Sequence, residues 1–170
     1  IDSHAHLYGG GAMLRSLRLN DVQNPEEFIN AIAKYATKMK PGQWILGGEW
    51  DQEKWPGAPM PNATWVDHFT LDNPLALERI DVHTMLCNSK CMQIANITRD
   101  TPNPQGGIIE KDENGEPTGI LKDYAMDLVY KVIPKVPAEQ DEAMELAMTH
   151  ALANGITFVQ DMSKYVVFFF

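Results

Sequence analysis

Apolar residues recur at helical spacing in two long segments of the chain. One helix is predicted to begin after Asn24, with Pro25 in its first turn, and to end before Pro41 and Gly42. A second amphipathic helix is predicted over residues 138–154, with Gly155 as its C-terminal cap. Shorter helices are expected near residues 64–72, 88–97 and 124–133.

Shorter apolar runs predict strands between these helices. Strands are expected over residues 1–6, 43–50, 74–80 and 156–162, the last of them buried because it is rich in β-branched and aromatic residues. Asn114-Gly115 between two apolar runs predicts a hairpin over residues 106–123. The glycine-rich stretch after His6 is expected to be a flexible loop leading into a short apolar segment. Helix, glycine and apolar strand at the end of this pattern indicate a βα unit of a parallel sheet.

Composition narrows the class of protein. The chain has 170 residues, 44% of them hydrophobic, which is enough for one core or two small domains. A net charge of −9 argues against nucleic acid and anionic membranes as partners. No apolar run is long enough to span a bilayer.

Cys87 and Cys91 are expected to be buried reduced thiols rather than metal ligands, which favours a cytoplasmic location.

Two histidines near the start of the chain carry the strongest chemical signal. His4 and His6 are two residues apart in "IDSHAHL", so on a strand their side chains point the same way. Two neutral imidazoles on a rigid support can share one metal ion, as a catalytic zinc site requires. A chance His-x-His pair in a surface strand is the competing interpretation.

The motif "IDSHAHL" resembles the signature at the end of the first barrel strand in the metal-dependent amidohydrolase superfamily. The blocks "GQWILGGEWDQEKWPG", "PLALERIDVHTMLCNSKCM", "GEPTGILKDYAMDLV" and "ANGITFVQDMS" are similar to its branch of N-substituted formamide deformylases. Together they cover most of residues 1–163 in the expected order.

This resemblance implies an α/β fold, namely the first strands of a (β/α)8 TIM-type barrel with a large inserted α+β domain. Residues 1–7 would be the first barrel strand, and residues 8–135 an inserted domain that acts as a substrate lid. Residues 136–163 would be a barrel helix and the second strand. Residues 164–170 would be an apolar tail of uncertain continuity.

The resemblance also implies an activity and a cofactor. We expect a hydrolase of non-peptide carbon–nitrogen bonds, in which metal-activated water attacks a small amide-like substrate. His4 and His6 are the metal ligands that carry over, and the metal would be one or two divalent ions, with zinc favoured. The remaining ligands and the general base of the family lie on later strands, so we expect the 170-residue chain alone to be inactive.

The resemblance and the predicted ends of strands indicate further site residues. The resemblance implies that His83 binds substrate, although a histidine satisfied within the inserted domain is equally compatible with the pattern. Trp50 and Asp51 follow the end of a strand and are expected to bind substrate too, although a packing role for Trp50 is equally compatible. Asp161, at the end of the second barrel strand, is expected to orient a metal ligand without binding the metal. Lys122 and Asp123 are interpreted as a charged pair beside a helix start.

Two alternatives stay open. The chain could be a non-catalytic binding or interaction module derived from the inserted domain, or the bond cleaved could be an ester or a carbamate. The uncharged, strand-prone run "VVFFF" at the end of "SKYVVFFF" and the start within a strand lead us to expect a piece of a longer protein. Unpaired strands of an open sheet also predict a homo-oligomer.

Overall fold

The computed structural model describes residues 1–162, and the apolar end of the chain, residues 164–170, lies outside the described residues. The described residues form two compact units. One unit consists of Ile1–Ser16 together with the segment that starts at Pro134, and the other is Leu17–Ile133. The assignment of residues 8–135 to an inserted lid domain stays a prediction.

The first unit pairs two short parallel strands and two helices. Strand β1 is Asp2–Ala5 and helix α1 is Leu7–Arg15. Helix α5, Pro137–Ala153, precedes strand β8, Val159–Asp161, which pairs with β1 in parallel. The βα unit predicted for the end of the chain is therefore present as a helix followed by a parallel strand.

The glycine-rich stretch after His6 is helical, so the prediction of a flexible loop is wrong. Gly11 is buried within α1, and a Cβ atom at this position would collide with the backbone carbonyl of Ala143 in α5. Ala143 and Ala147 are themselves buried, so small residues on both helices let their backbones approach closely. Packing against α5 stabilises a sequence whose glycines disfavour a helix on their own.

Strand β8 is also less buried than its sequence predicts. Val159 is half-buried, the other two residues of the strand are exposed, and Phe158 before it is 60% exposed. Among the described residues β8 pairs only with β1, and a two-stranded sheet cannot cover both of its faces. The prediction of a buried strand at this position is wrong for the described structure.

The second unit contains a six-stranded mixed sheet. Its order is β2-β3-β4-β5-β7-β6, parallel from β2 to β4 and antiparallel from β4 to β6. The strands are β2 Leu17–Arg18, β3 Ile45–Trp50, β4 Leu75–Arg79, β5 Thr84–Cys87, β6 Gly107–Lys111 and β7 Pro117–Asp123. The sequence pattern did not predict β2 or β5, because each is short and β5 is buried without alternation.

Helices cover both faces of this sheet. Helix α2, Pro25–Ala36, begins as predicted, because the Oδ1 atom of Asn24 accepts a hydrogen bond from the Glu27 amide at 2.8 Å. Its buried residues Phe28 and Ile32 pack with Leu75 and Leu77 of β4 in one core. Helices α3, Ser89–Ile94, and α4, Asp127–Tyr130, contribute to a second core on the other face. Alternate residues of the strands fill the two cores.

Two local predictions in this unit are settled by the backbone. The hairpin is confirmed: β6 and β7 pair in antiparallel, and Gly115 adopts a φ of 82° in the turn between them. The predicted helix near residues 64–72 is instead two single 3₁₀ turns, Ala63–Trp65 and Asp67–Phe69.

Candidate functional site

The histidine pair lies where β1 ends and α1 begins. His4 is in the strand and His6 is the residue directly before α1. Both side chains are exposed, and their rings face each other edge to face with centroids 5.7 Å apart. The structure therefore brings together the two imidazoles that the sequence predicts as metal ligands.

Two carboxylates hold the backbone on either side of this pair. The Oδ1 atom of Asp2 accepts a hydrogen bond from the His4 amide at 3.0 Å. The Oδ1 atom of Asp161 accepts one from the Leu7 amide at 3.2 Å, immediately after His6. Asp161 is also the register partner of Ala5, so β8 places its carboxylate beside the histidine strand. This position is compatible with the orienting role predicted for Asp161, which stays a prediction.

The donor set at this site suits a divalent metal ion but is small. Two neutral imidazole nitrogens are ordinary ligands of zinc and related ions. Within residues 1–162, no group of three or more histidine, cysteine, aspartate or glutamate side chains is placed to hold a metal. His4 and His6 thus fit as part of a ligand set rather than as a complete one.

A second concentration of polar groups lies at one edge of the six-stranded sheet. The carboxyl ends of β3, β4 and β7 and the start of β5 meet at this edge, which we call the charged edge. Its charged and titratable side chains include Glu49, Asp51, Glu78, Arg79, Asp81, His83 and Asp123. Three of the five non-glycine residues with positive φ among residues 1–162, Glu49, Val82 and Asp123, lie here too. Such backbone strain is concentrated at functional sites in many proteins.

Arg79 organises the charged edge. Its guanidinium is 2.6 Å from Asp81, 3.3 Å from Asp51 and 3.9 Å from Glu53, and its Nε donates to Gln52 at 2.8 Å. Asp51 is thus an ion-pair partner of Arg79 as well as the residue predicted to bind substrate. Its carboxylate is mostly covered, with 20% of the side chain exposed.

Asp81 fixes the loop that carries His83. Its Oδ1 accepts hydrogen bonds from the amides of His83 and Thr84, at 2.9 and 3.1 Å. Partial burial works to raise the pKa of Asp81, but the His83 amide and the Arg79 guanidinium outweigh it and hold the pKa below its ordinary value. Asp81 is therefore a carboxylate at neutral pH, and its charge shapes the loop.

His83 is held from a second side by Asp123. The Nδ1 atom of His83 is 2.9 Å from Oδ1 of Asp123, and the Asp123 amide donates to the His83 carbonyl, also at 2.9 Å. The imidazole is nonetheless 72% exposed. Lys122 pairs with Glu110 at 2.8 Å, so Lys122 and Asp123 serve separate contacts and the interpretation of them as one charged pair is wrong.

Trp50 lies in the core rather than at a surface. It is fully buried between Phe28 and Trp55, and its Nε1 donates to the Leu77 carbonyl at 2.9 Å. A buried indole with its N–H already bonded has no face to offer a substrate. The structure therefore supports the packing role of Trp50 and corrects the expectation that it binds substrate.

Sequence reasoning did not find the roles of Arg79, Asp81 and Asp123. Asp81 precedes His83 by two residues, a spacing typical of a side chain that caps its own loop, and that signal could have been used. The pairing of Asp123 with His83 depends on β5 and β7 lying side by side across 40 positions, which no local pattern reveals.

No helix among the described residues is long and apolar enough to cross a membrane.

Comparisons with known proteins agree with the resemblance seen in the motifs. The chain is 39% identical over 166 residues to Protein LONG AFTER FAR-RED 3 of Arabidopsis thaliana, covering 97% of this chain and 28% of that protein. It is 29% identical to N-substituted formamide deformylase of Arthrobacter pascens, covering 95% of this chain and 31% of that protein. The chain thus spans about a third of the length of the curated relatives it matches.

A solved structure shares the fold of the described chain. The crystal structure of an uncharacterised metal-dependent hydrolase from Pyrococcus horikoshii OT3 matches with a TM-score of 0.69 at 26% identity, covering 95% of this chain and 30% of that one. The amidohydrolase family itself matches residues 1–169. The chain therefore belongs to the amidohydrolase family.

Proposed function

We propose that the protein containing this chain is a metal-dependent hydrolase of non-peptide carbon–nitrogen bonds, with a small amide as substrate. The observation that carries the proposal is the exposed His4–His6 pair at the end of β1, with ring centroids 5.7 Å apart, in a member of the amidohydrolase family. The formamide deformylase relative supports an amide over an ester or a carbamate.

In this proposal His4 and His6 hold a divalent ion, with zinc as the favoured metal, together with ligands from outside residues 1–162. The chemistry that such an ion supplies is polarisation of the amide carbonyl and of water. Asp2 and Asp161 keep the backbone around the histidines in place through the His4 and Leu7 amides. His83 and Asp51 contribute to substrate binding at the charged edge.

The proposal includes a fold assignment. Strands β1 and β8 with helix α5 would belong to a (β/α)8 barrel. Residues 8–135 would form the inserted α+β domain, which contains the compact unit Leu17–Ile133. The parallel pairing of β1 with β8, and the helix that precedes β8, support it. For the 170-residue chain by itself we also propose a homo-oligomer, since β1 and β8 pair only with each other among residues 1–162. A gel-filtration profile of that chain showing only monomer would contradict it.

Metal content and hydrolysis test the activity together. The full product of the gene, purified without chelators, should contain bound divalent metal and release formate from formanilide. His4→Ala and His6→Ala should both lose metal and turnover. His150→Ala is the matched control, since His150 is exposed on α5 and should leave metal content unchanged. Turnover that survives His4→Ala and His6→Ala at full rate would contradict the proposal.

A further inference from the structure

The charged edge holds a histidine whose two ring nitrogens differ in environment. Nδ1 of His83 contacts the Asp123 carboxylate at 2.9 Å. Within residues 1–162, no hydrogen-bond partner lies at Nε2, and 72% of the side chain is exposed. One nitrogen is thus held by the protein while the other faces outward.

The contact with Asp123 selects one tautomer of the neutral imidazole. An ionised carboxylate only accepts hydrogen bonds, so the nitrogen that faces it must carry the proton. The neutral ring is therefore protonated at Nδ1, and Nε2 presents a lone pair outward. The outward nitrogen of neutral His83 can accept a hydrogen bond but cannot donate one.

The backbone around the pair is built to hold this arrangement. The Asp123 amide donates to the His83 carbonyl, and Asp81 accepts hydrogen bonds from the His83 and Thr84 amides. Val82 and Asp123 both have positive φ, at 55° and 51°. A β-branched residue in this region is a strained outlier that the surrounding structure must impose.

We propose that His83 and Asp123 form a recognition pair that selects ligands carrying an N–H donor. Asp123 is the positioning residue: it acts only through the tautomer of His83, whose Nε2 accepts the hydrogen bond of the ligand. The assignment of the ligand as a secondary amide rests on the proposed function. A tertiary amide or an ester of the same shape lacks the donor and leaves the lone pair of Nε2 without a partner.

The tautomer of His83 can be measured directly, and this tests the positioning role of Asp123 without an assay of enzyme activity. In proton–nitrogen spectra of the chain carrying isotope-labelled histidine, the His83 signals are identified by their loss in His83→Gln. We expect the neutral ring to carry its proton on Nδ1 and to leave Nε2 bare. Asp123→Gly removes the carboxylate but tolerates the positive φ, so the ring should shift toward the Nε2-protonated form that free histidine prefers. The signals of His68 and His150 serve as internal controls.

Two matched small molecules test whether His83 prefers ligands that carry an N–H donor. Formanilide carries an amide N–H, whereas N-methylformanilide does not. We expect formanilide to move the Nε2 signal of His83 and N-methylformanilide to leave it in place, with about tenfold weaker binding of formanilide to Asp123→Gly, as expected for one lost hydrogen bond.

Several results would overturn the inference. A bare Nδ1 in the unmutated chain, or an unchanged tautomer in Asp123→Gly, would remove the positioning role. Equal responses to the two probes, or no response to either, would remove the ligand assignment. Since these spectra do not depend on turnover, a failure here is distinguishable from a failure of the proposed hydrolase activity.

Discussion

Gly11 of helix α1 lies so close to Ala143 of helix α5 that a single added carbon would meet the Ala143 carbonyl. The contact explains why a glycine-rich stretch is helical. It joins the segment directly after the histidine pair to the helix that precedes β8. The position of His6 therefore depends on a backbone contact in which it takes no part.

We expect Gly11→Ala to destabilise the protein by about 2–3 kcal/mol, because the added methyl group forces the two helices apart. Gly10→Ala is the matched control. Gly10 is one residue away in the same helix, and a Cβ there has open space. Alanine at Gly10 should stabilise the helix by about 0.5–1 kcal/mol. Urea unfolding of the two variants measures the difference, and equal effects would contradict the packing argument.

Asn88 should be among the most sensitive polar residues in the second unit. Its side chain is buried, donates to Thr70 and Asn73, and accepts from the amides of Leu75 and Cys91. Asn88→Ala leaves several buried groups without partners, and we expect a loss of about 3 kcal/mol or more.

Asn24→Ala provides the comparison for Asn88. It removes a half-buried helix cap that accepts from one amide and donates to the Glu27 carboxylate, and should cost about 1 kcal/mol. Thermal unfolding of both variants, followed by circular dichroism, should give a much lower melting temperature for Asn88→Ala than for Asn24→Ala. Similar melting temperatures for the two variants would be inconsistent with the buried network.

Asp81 should contribute to stability in a pH-dependent way. Its pKa is lower in the folded chain than the ordinary value of 3.8. A lowered carboxyl pKa contributes stability that is fully present above the unfolded pKa, and this stability is lost as the pH falls through the folded pKa. The free energy of unfolding of Asp81→Asn should therefore fall less steeply below about pH 4 than that of the unmutated chain.

Urea unfolding of the unmutated chain and Asp81→Asn, repeated from neutral pH to strongly acidic pH, measures this contribution. The free energies of unfolding of the two proteins, plotted against pH, should differ by a constant amount near neutral pH and converge at acidic pH. Parallel curves over the whole range would show that the Arg79 and His83 contacts do not shift the Asp81 carboxyl.

Val82 offers a test of strain at the charged edge. Its φ is 55° and 64% of the residue is exposed, so Val82→Gly relieves the backbone with little loss of packing. We expect a gain of about 0.5–1 kcal/mol, since the relief of a left-handed β-branched residue exceeds the entropy cost of glycine. Ile80→Gly, in the same loop without positive φ, should destabilise instead. Equal loss from both substitutions would argue against strain at Val82.

The sequence predicted what depends on local pattern and on short motifs. Helix α2, the hairpin of β6 and β7, and the adjacency of His4 and His6 all follow from spacing within a few residues. The failures have a different origin. Residues 7–15 form a helix only because α5 lies against Gly11, and Trp50 is in the core because β3 runs between two other strands. The pairing of His83 with Asp123 likewise requires the sheet order, which depends on contacts distant in sequence.

The two buried cysteines allow the opening rate of the core of the second unit to be measured. Both thiols are free and completely buried, and burial together with the neighbouring Cys91 raises the pKa of Cys87 well above its ordinary value. A thiol that is both protonated and shielded from solvent reacts with alkylating reagents only after the surrounding core has opened. The rate at which iodoacetamide labels the native chain should therefore report how often this core becomes exposed.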